Sequence, residues 1–265
     1  MTQFTAKSEQ RPGAPALGHS LPARPQNRLL ASLPQAEFAV LTRHLHVVSL
    51  QPGFVLQHQG HPLDYVYFPH DGLVSLLAVT VDGATIEAAS VGRSGALCDL
   101  LESDLTEGFL TAVAHGAMRA SRVAAAQIKV LERENEALSA ALRASREALL
   151  LQLRQNMICA GLHPVEQRLS RWLLEAADRL EAGAQPISAT QEQVAQRLGV
   201  RRTTVTLLAS NLQDGDAIRW RRSRVEIRDR RRLEAMACGC YAALRDRVDA
   251  LLPPRQPVPG KGLVD

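Results

Sequence analysis

Aromatic residues are scarce in this 265-residue chain, at 4%. Any core must therefore be filled by Leu, Val and Ala, and a 46% hydrophobic content is enough for one large or two modest folded domains. Long apolar runs are missing too. The densest, Leu149-Leu150-Leu151-Gln152-Leu153, is interrupted within five residues, far short of the ~20 that a membrane span needs. No basic flank leads into an apolar segment near the start, so no secretory signal and no membrane association are expected, and the expected location is cytoplasmic. Cysteine is sparse: Cys98, Cys159, Cys238 and Cys240 are too few and too irregular for a disulfide framework. Cys238-x-Cys240 offers two metal ligands, but a closed site wants a second pair or histidines. Reduced thiols, with no metal and no cofactor, are the expectation.

What is present is concentrated. The net charge is only +4, yet between Arg197 and Arg232 there are eleven arginines against four acids, Asp214, Asp216, Glu226 and Asp229. Guanidinium forks match phosphate oxygens, so this segment is either a solvated basic face or a phosphate-binding one.

The texture of the chain changes several times. Residues 1–26 hold Pro12, Pro15, Pro22 and Pro25 without an apolar period, and read as a disordered tail. From 27 to 125, short helices lead into β-rich runs separated by turn signals at Pro52-Gly53, Gln59-Gly60, Asp71-Gly72, Asp82-Gly83 and Gly92–Gly95. Asp82-Gly83 between two such runs predicts a hairpin, because that dipeptide tolerates the positive φ of a tight turn. Many short strands at this spacing predict a double-stranded β-helix, or jelly roll. From 126 to 163 no Pro or Gly interrupts strong helix formers before Gly161. There Leu150, Leu153, Met157 and Ala160 fall at intervals of three, four and three, a stripe that a core-facing helix also shows, but which on a long helix between two domains is well placed to pair with its copy in a homodimer. His163-Pro164 ends it, since the residue before proline is pushed out of helical geometry. Pro164 opens a domain reaching to 250, beginning with an amphipathic helix on Leu169, Trp172, Leu173 and Ala176. Residues 251–265 are expected to be a flexible tail. The fold class is thus α+β.

Within that C-terminal domain, Thr190-Gln-Glu-Gln193 has capping-box spacing. A helix packed on Val194 and Leu198 follows, and Gly199 allows a tight reversal. A second helix from about Arg201 turns Val205, Leu208, Ala209 and Leu212 inward, while Thr203, Thr206, Leu207 and Ser210 point outward. An apolar stripe that docks a helix bearing short polar residues outside is how a helix enters the major groove of DNA. Ile218-Arg219-Trp220 and Arg224-Val225-Glu226-Ile227 then read as strands around an arginine-tipped turn, a β-wing carrying Arg221, Arg222 and Arg224. The predicted partner is double-stranded DNA, and no catalytic role is predicted.

The order of β-roll, connecting helix and winged helix-turn-helix resembles the Crp/Fnr family of bacterial regulators. The matching stretches are Leu-Gln-Pro-Gly-Phe-Val-Leu (50–56), Val-Tyr-Phe-Pro-His-Asp-Gly-Leu-Val (66–74), Thr-Gln-Glu-Gln-Val-Ala-Gln-Arg-Leu-Gly-Val (190–200) and Arg-Arg-Thr-Thr-Val-Thr (201–206). The resemblance implies a cyclic-nucleotide-binding-like sensory roll, dimerisation through the long helix, a palindromic operator and contact with RNA polymerase. It puts Arg202, Thr203 and Leu207 at base-reading places, and Thr190, Arg201 and Thr204 at places suited to phosphate. An acid is usual where Thr203 stands and an arginine where Leu207 stands, so the operator is expected to differ from the family's best-known one. The cyclic-nucleotide cassette needs a Gly-Glu and a Pro-Arg pair, and neither occurs in 91–98 or 103–117. The effector is therefore unknown and expected not to be a cyclic nucleotide. An iron–sulfur centre would need an N-terminal cysteine cluster, and the first cysteine is Cys98.

The alternative is a metal enzyme on a cupin-like roll. His44, His46, His58, His61 and His70 lie within 27 residues. The glutamate that cupin spacing wants after His44-x-His46 is missing, and most of these histidines fall at predicted turns.

Overall fold

The computed structural model describes residues 16–17, 26–98, 107–180 and 186–252. In chain order come strand β1 (Ala16–Leu17), helices α1 (Arg28–Ser32) and α2 (Gln35–Thr42), and strands β2 (His46–Leu50), β3 (Val55–Gln57), β4 (Tyr65–Pro69), β5 (Leu73–Val79), β6 (Thr85–Val91), β7 (Thr111–His115) and β8 (Met118–Ala124). They form two four-stranded sheets, β1-β2-β8-β4 and β3-β7-β5-β6, whose facing sides enclose Val48, Leu50, Val74, Leu76, Ala89 and Ala120. This is the expected jelly roll. The β5–β6 hairpin turns through Gly83 at φ +83°, a left-handed backbone that glycine adopts without steric cost. Asn27 fastens α1 to the roll. Its side-chain oxygen accepts from the amides of Leu29 and Leu30, and its Nδ2 donates to the carbonyls of Pro69 and Gly95 at 2.9 Å each.

The chain then runs through α3 (Ala125–Glu134) and α4 (Glu136–Leu162). One uninterrupted helix was expected here, but the backbone breaks at Asn135 (φ −136°, ψ 104°). Its side chain accepts from Leu138 N at 2.7 Å and caps α4, because Asn competes for backbone donors better than it sustains a helix interior. Along α4 the positions that face the roll are not all apolar. Ser145 Oγ accepts from Ala96 N, Gln152 Oε1 accepts from Ser90 N, and Asn156 Nδ2 donates to Ala88 O, at 2.9, 3.1 and 2.7 Å. Two of these partners lie on β6, the edge strand of its sheet, so α4 covers an edge that would otherwise expose unpaired backbone groups.

Beyond His163 come α5 (Val165–Arg179), β9 (Ile187–Ser188), α6 (Gln191–Leu198), α7 (Arg202–Asp214), β10 (Ile218–Arg221), β11 (Arg224–Ile227), α8 (Arg230–Met236) and α9 (Cys240–Leu251). Leu169, Leu173, Val194, Val205, Leu212 and Val225 fill the core of this half. The expected tails lie mostly outside the described residues. Where they are described they are tied down: β1 pairs with β2, and Leu252 packs on the core beside Leu29 and Leu142.

Candidate DNA-binding surface

Thr190 and Gln193 form the capping box. Thr190 Oγ1 accepts from Gln193 N at 3.2 Å, and Gln193 Oε1 accepts from Thr190 N at 3.0 Å. At the other end of α6, Gly199 takes φ +65° and turns the chain into α7. Arg201 is the N-cap residue of α7 and Arg202 its first helical residue. Val205, Ala209 and Leu212 are buried to the last percent, whereas Arg201, Arg202, Thr203, Thr206 and Ser210 are exposed and Leu207 is 63% exposed. Thr204 is half-buried. Thr206 Oγ1 also bonds Gln191 Oε1 at 2.7 Å, which links the two helices.

The wing pairs Arg221 with Arg224 across a two-residue turn, in which Arg222 takes φ +52°. Strand β11 also pairs with β9, and Ala189 N donates to Ser223 O at 2.8 Å. Trp220 Nε1 donates to Ala189 O at 3.1 Å. These bonds hold the wing against the segment that enters α6. Among the described residues, no carboxylate lies within ion-pair reach of Arg201, Arg202, Arg221, Arg222 or Arg224.

Two arginines counted in the basic segment are occupied elsewhere. Arg230 pairs with Asp178 and Glu234 at 2.7 and 3.0 Å. Arg197 is buried and turned away from the exposed face of α7, into the β-roll. Its Nε lies 2.7 Å from Glu87 Oε2, an ion pair whose N–H is not aimed at the oxygen. Its Nη2 donates to Ser75 Oγ at 2.9 Å and to His115 Nδ1 at 2.6 Å, and its guanidinium lies over Trp172. Trp172 Nε1 in turn donates to Glu87 Oε1 at 3.0 Å. Burial, and then the Arg197 charge, bring the His115 pKa down to about 3.

Of the expected dimer seam, Leu150 is 44% and Met157 71% exposed, and Ala160 is exposed. Leu153 instead sits half-buried against the core of the roll. Ile158 and Leu162 are also exposed, at 42% and 76%.

In the roll, the turn at Gly92–Gly95 is covered by the chain itself. A Cβ on Gly92 would sit 2.8 Å from Arg179 Cβ, and Arg28 Nη1 donates to Ser94 Oγ at 2.8 Å. A cavity of about 100 Å³ remains between this turn, α4 and α9, lined by Ser90, Gln152, Tyr241 and Leu244 among others. The five histidines of the enzyme alternative supply no three-ligand cluster among the described residues. His70 is buried with Nε2 2.8 Å from Ser121 Oγ, and burial, then Arg119, hold its ring below its ordinary pKa. The expectation that Cys238-x-Cys240 lacks further ligands is corrected, for Cys159 and His163 lie against it. Their i,i+4 spacing was the available signal; that the end of α4 would meet the start of α9 was not.

Residues 167–236 match the Crp-like helix-turn-helix domain. No curated protein sequence matches the chain. Among solved structures, FixK2 from Bradyrhizobium japonicum is similar with a TM-score of 0.64 at 18% identity, over 74% of this chain and 98% of that one. The c-di-GMP-responsive global regulator CLP of Xanthomonas campestris gives 0.61 at 14% identity, over 73% and 99%. A CRP/FNR-family transcriptional regulator of Thermus thermophilus gives 0.58 at 23%, over 72% and 97%. At these identities the likeness shows a shared fold.

Proposed function

We infer that this Crp/Fnr-like transcription regulator reads a palindromic operator as a homodimer, with α7 in the major groove and the wing on the adjoining backbone. One observation carries the reading. The outward face of α7 and the wing hold five arginines without carboxylate partners among the described residues, while Arg197 and Arg230 of the same segment are held in ion pairs away from that face. Unpaired guanidinium groups on short polar surroundings fit phosphate and guanine edges. Arg202, Thr203 and Leu207 are the proposed base readers. Thr190, Arg201, Thr204, Thr206 and the wing arginines are the proposed backbone contacts. The exposed face of Leu150, Met157 and Ala160 supports pairing of α4 with its copy, which would set two recognition helices about one DNA turn (~34 Å) apart. No helix among the described residues is long and apolar enough to cross a membrane. A cytoplasmic regulator that engages RNA polymerase fits these features.

Its effector is not a cyclic nucleotide. The glycine turn that would hold a phosphate carries neither the Gly-Glu nor the Pro-Arg pair, and Arg179 packs on it.

Genomic footprinting of the tagged full chain, followed by titration of the recovered duplex over a salt series, tests the reading. The expected result is a palindromic site bound far more tightly than scrambled DNA, with log affinity falling linearly in log salt. Equal affinity for both duplexes would overturn it.

A further inference from the structure

DNA binding leaves one cluster of side chains unexplained. Cys159 and His163 stand one helical turn apart at the end of α4 and so face the same way. Cys238 and Cys240 flank Gly239 at the start of α9. The Sγ and imidazole nitrogen atoms of these four residues all lie within 4.8 Å of one another. Cys159 Sγ is 3.8 Å from Cys238 Sγ, and His163 Nδ1 is 3.4 Å from Cys159 Sγ and 3.8 Å from Cys240 Sγ.

These spacings have a chemical meaning. A tetrahedral zinc ion with bonds of about 2.3 Å to sulfur and about 2.0–2.1 Å to nitrogen holds two sulfurs about 3.8 Å apart and a sulfur and nitrogen about 3.5–3.6 Å apart. The observed separations fall on and around those edges. We propose that Cys159, His163, Cys238 and Cys240 form a Cys3His site for a single Zn2+ ion, which fastens the DNA-binding half to the base of α4. Three soft thiolates and an imidazole select zinc over magnesium or calcium. The atoms are too close together for a cluster that gives each ligand an iron of its own. All four ligands are spent on protein, so the site is structural.

The surroundings agree. Three thiolates and a neutral imidazole around Zn2+ leave one net negative charge, and the buried guanidinium of Arg171 lies within electrostatic reach of all three cysteines. Gln155 Nε2 donates toward Cys159 Sγ at 3.6 Å, the kind of outer bond that orients a thiolate ligand. The paired ligands are 77 and 79 residues apart in the chain, so the ion closes a loop around the whole winged helix-turn-helix. Zinc binding thereby becomes folding free energy for that half.

The test is elemental analysis of the full chain purified from zinc-supplemented cells under reducing conditions. About one zinc per chain is expected, falling below about 0.1 in Cys159→Ser and in Cys240→Ser and staying near one in Cys98→Ser, whose thiol lies in the roll. Because the ligand variants can misfold, wild-type protein carries a second readout. Exchange of its zinc for cobalt should give thiolate-to-cobalt charge-transfer bands and the intense visible bands of tetrahedral coordination. Chelation should expose three further thiols to a thiol reagent and lower the melting temperature. A metal-free wild type without a cobalt spectrum would overturn the proposal. So would an iron–sulfide chromophore, zinc retained in full by both ligand variants, or a Cys159–Cys238 disulfide in the reduced preparation.

Discussion

Arg222 serves two ends that oppose each other. At φ +52° it sits where an L side chain crowds its own backbone, at a cost on the order of 1 kcal/mol, yet it holds a guanidinium at the wing tip. Arg222→Gly should therefore raise the melting temperature by a few degrees. It should also weaken binding to operator and scrambled DNA alike, lowering the salt slope by about one for each phosphate that a subunit no longer neutralises. Thermal melts and salt-resolved titrations read both effects, and a weakening confined to operator would mean that the wing reads bases. Arg202 differs, since it starts the helix proposed to enter the groove. Arg202→Ala should cost about 1–3 kcal/mol per half-site and relax preference at one symmetric base-pair position. Titration against operators substituted at each position checks this, and equal weakening on every duplex would reassign Arg202 to the backbone. These outward residues were legible in the sequence because helical periodicity alone separates them from the buried stripe. Arg197 was not. Its partners Glu87, Ser75 and His115 stand on strands far earlier in the chain, and no local pattern announces such a pairing.

Among the elements, α4 departs most from its sequence reading. Roll, amphipathic α5, helix-turn-helix and wing follow from turn residues, caps and periodicity, all of which are local. Which face of a long helix meets the roll is a tertiary matter, and the polar side chains of Ser145, Gln152 and Asn156 decide it by bonding the roll's backbone. Their choice turns Leu153 inward and leaves Met157 outward. Met157→Asp should consequently convert dimer to monomer, since the proposed pairing seam would bury carboxylates without partners. Light scattering on the purified variant gives the answer, and a persistent dimer would move the interface off α4. Leu153→Asp should act differently. It should lower the unfolding midpoint by placing charge against the roll core.

For the molecule as a whole, one joint between its halves is the Arg197–Glu87–His115 group. The folded protein keeps His115 neutral until about pH 3, while the unfolded chain takes up that proton near 6.5. The unfolded state then binds more protons throughout this window. The contribution of His115 to stability is thus complete above about pH 6.5 and is lost progressively as pH falls toward about 3. Denaturant midpoints measured from pH 7 to pH 5 should fall more steeply for wild type than for His115→Gln, whose amide oxygen still accepts from Arg197. Parallel curves would sink this account. The joint also bears on descent and on grafting. Arg197 belongs to the reading half, while Glu87, Ser75 and His115 belong to the roll. A roll borrowed from another regulator would confront that guanidinium with a wall not shaped for it. The two halves cannot be shuffled as independent cassettes, and a graft that works has to carry matching residues from both sides of the seam.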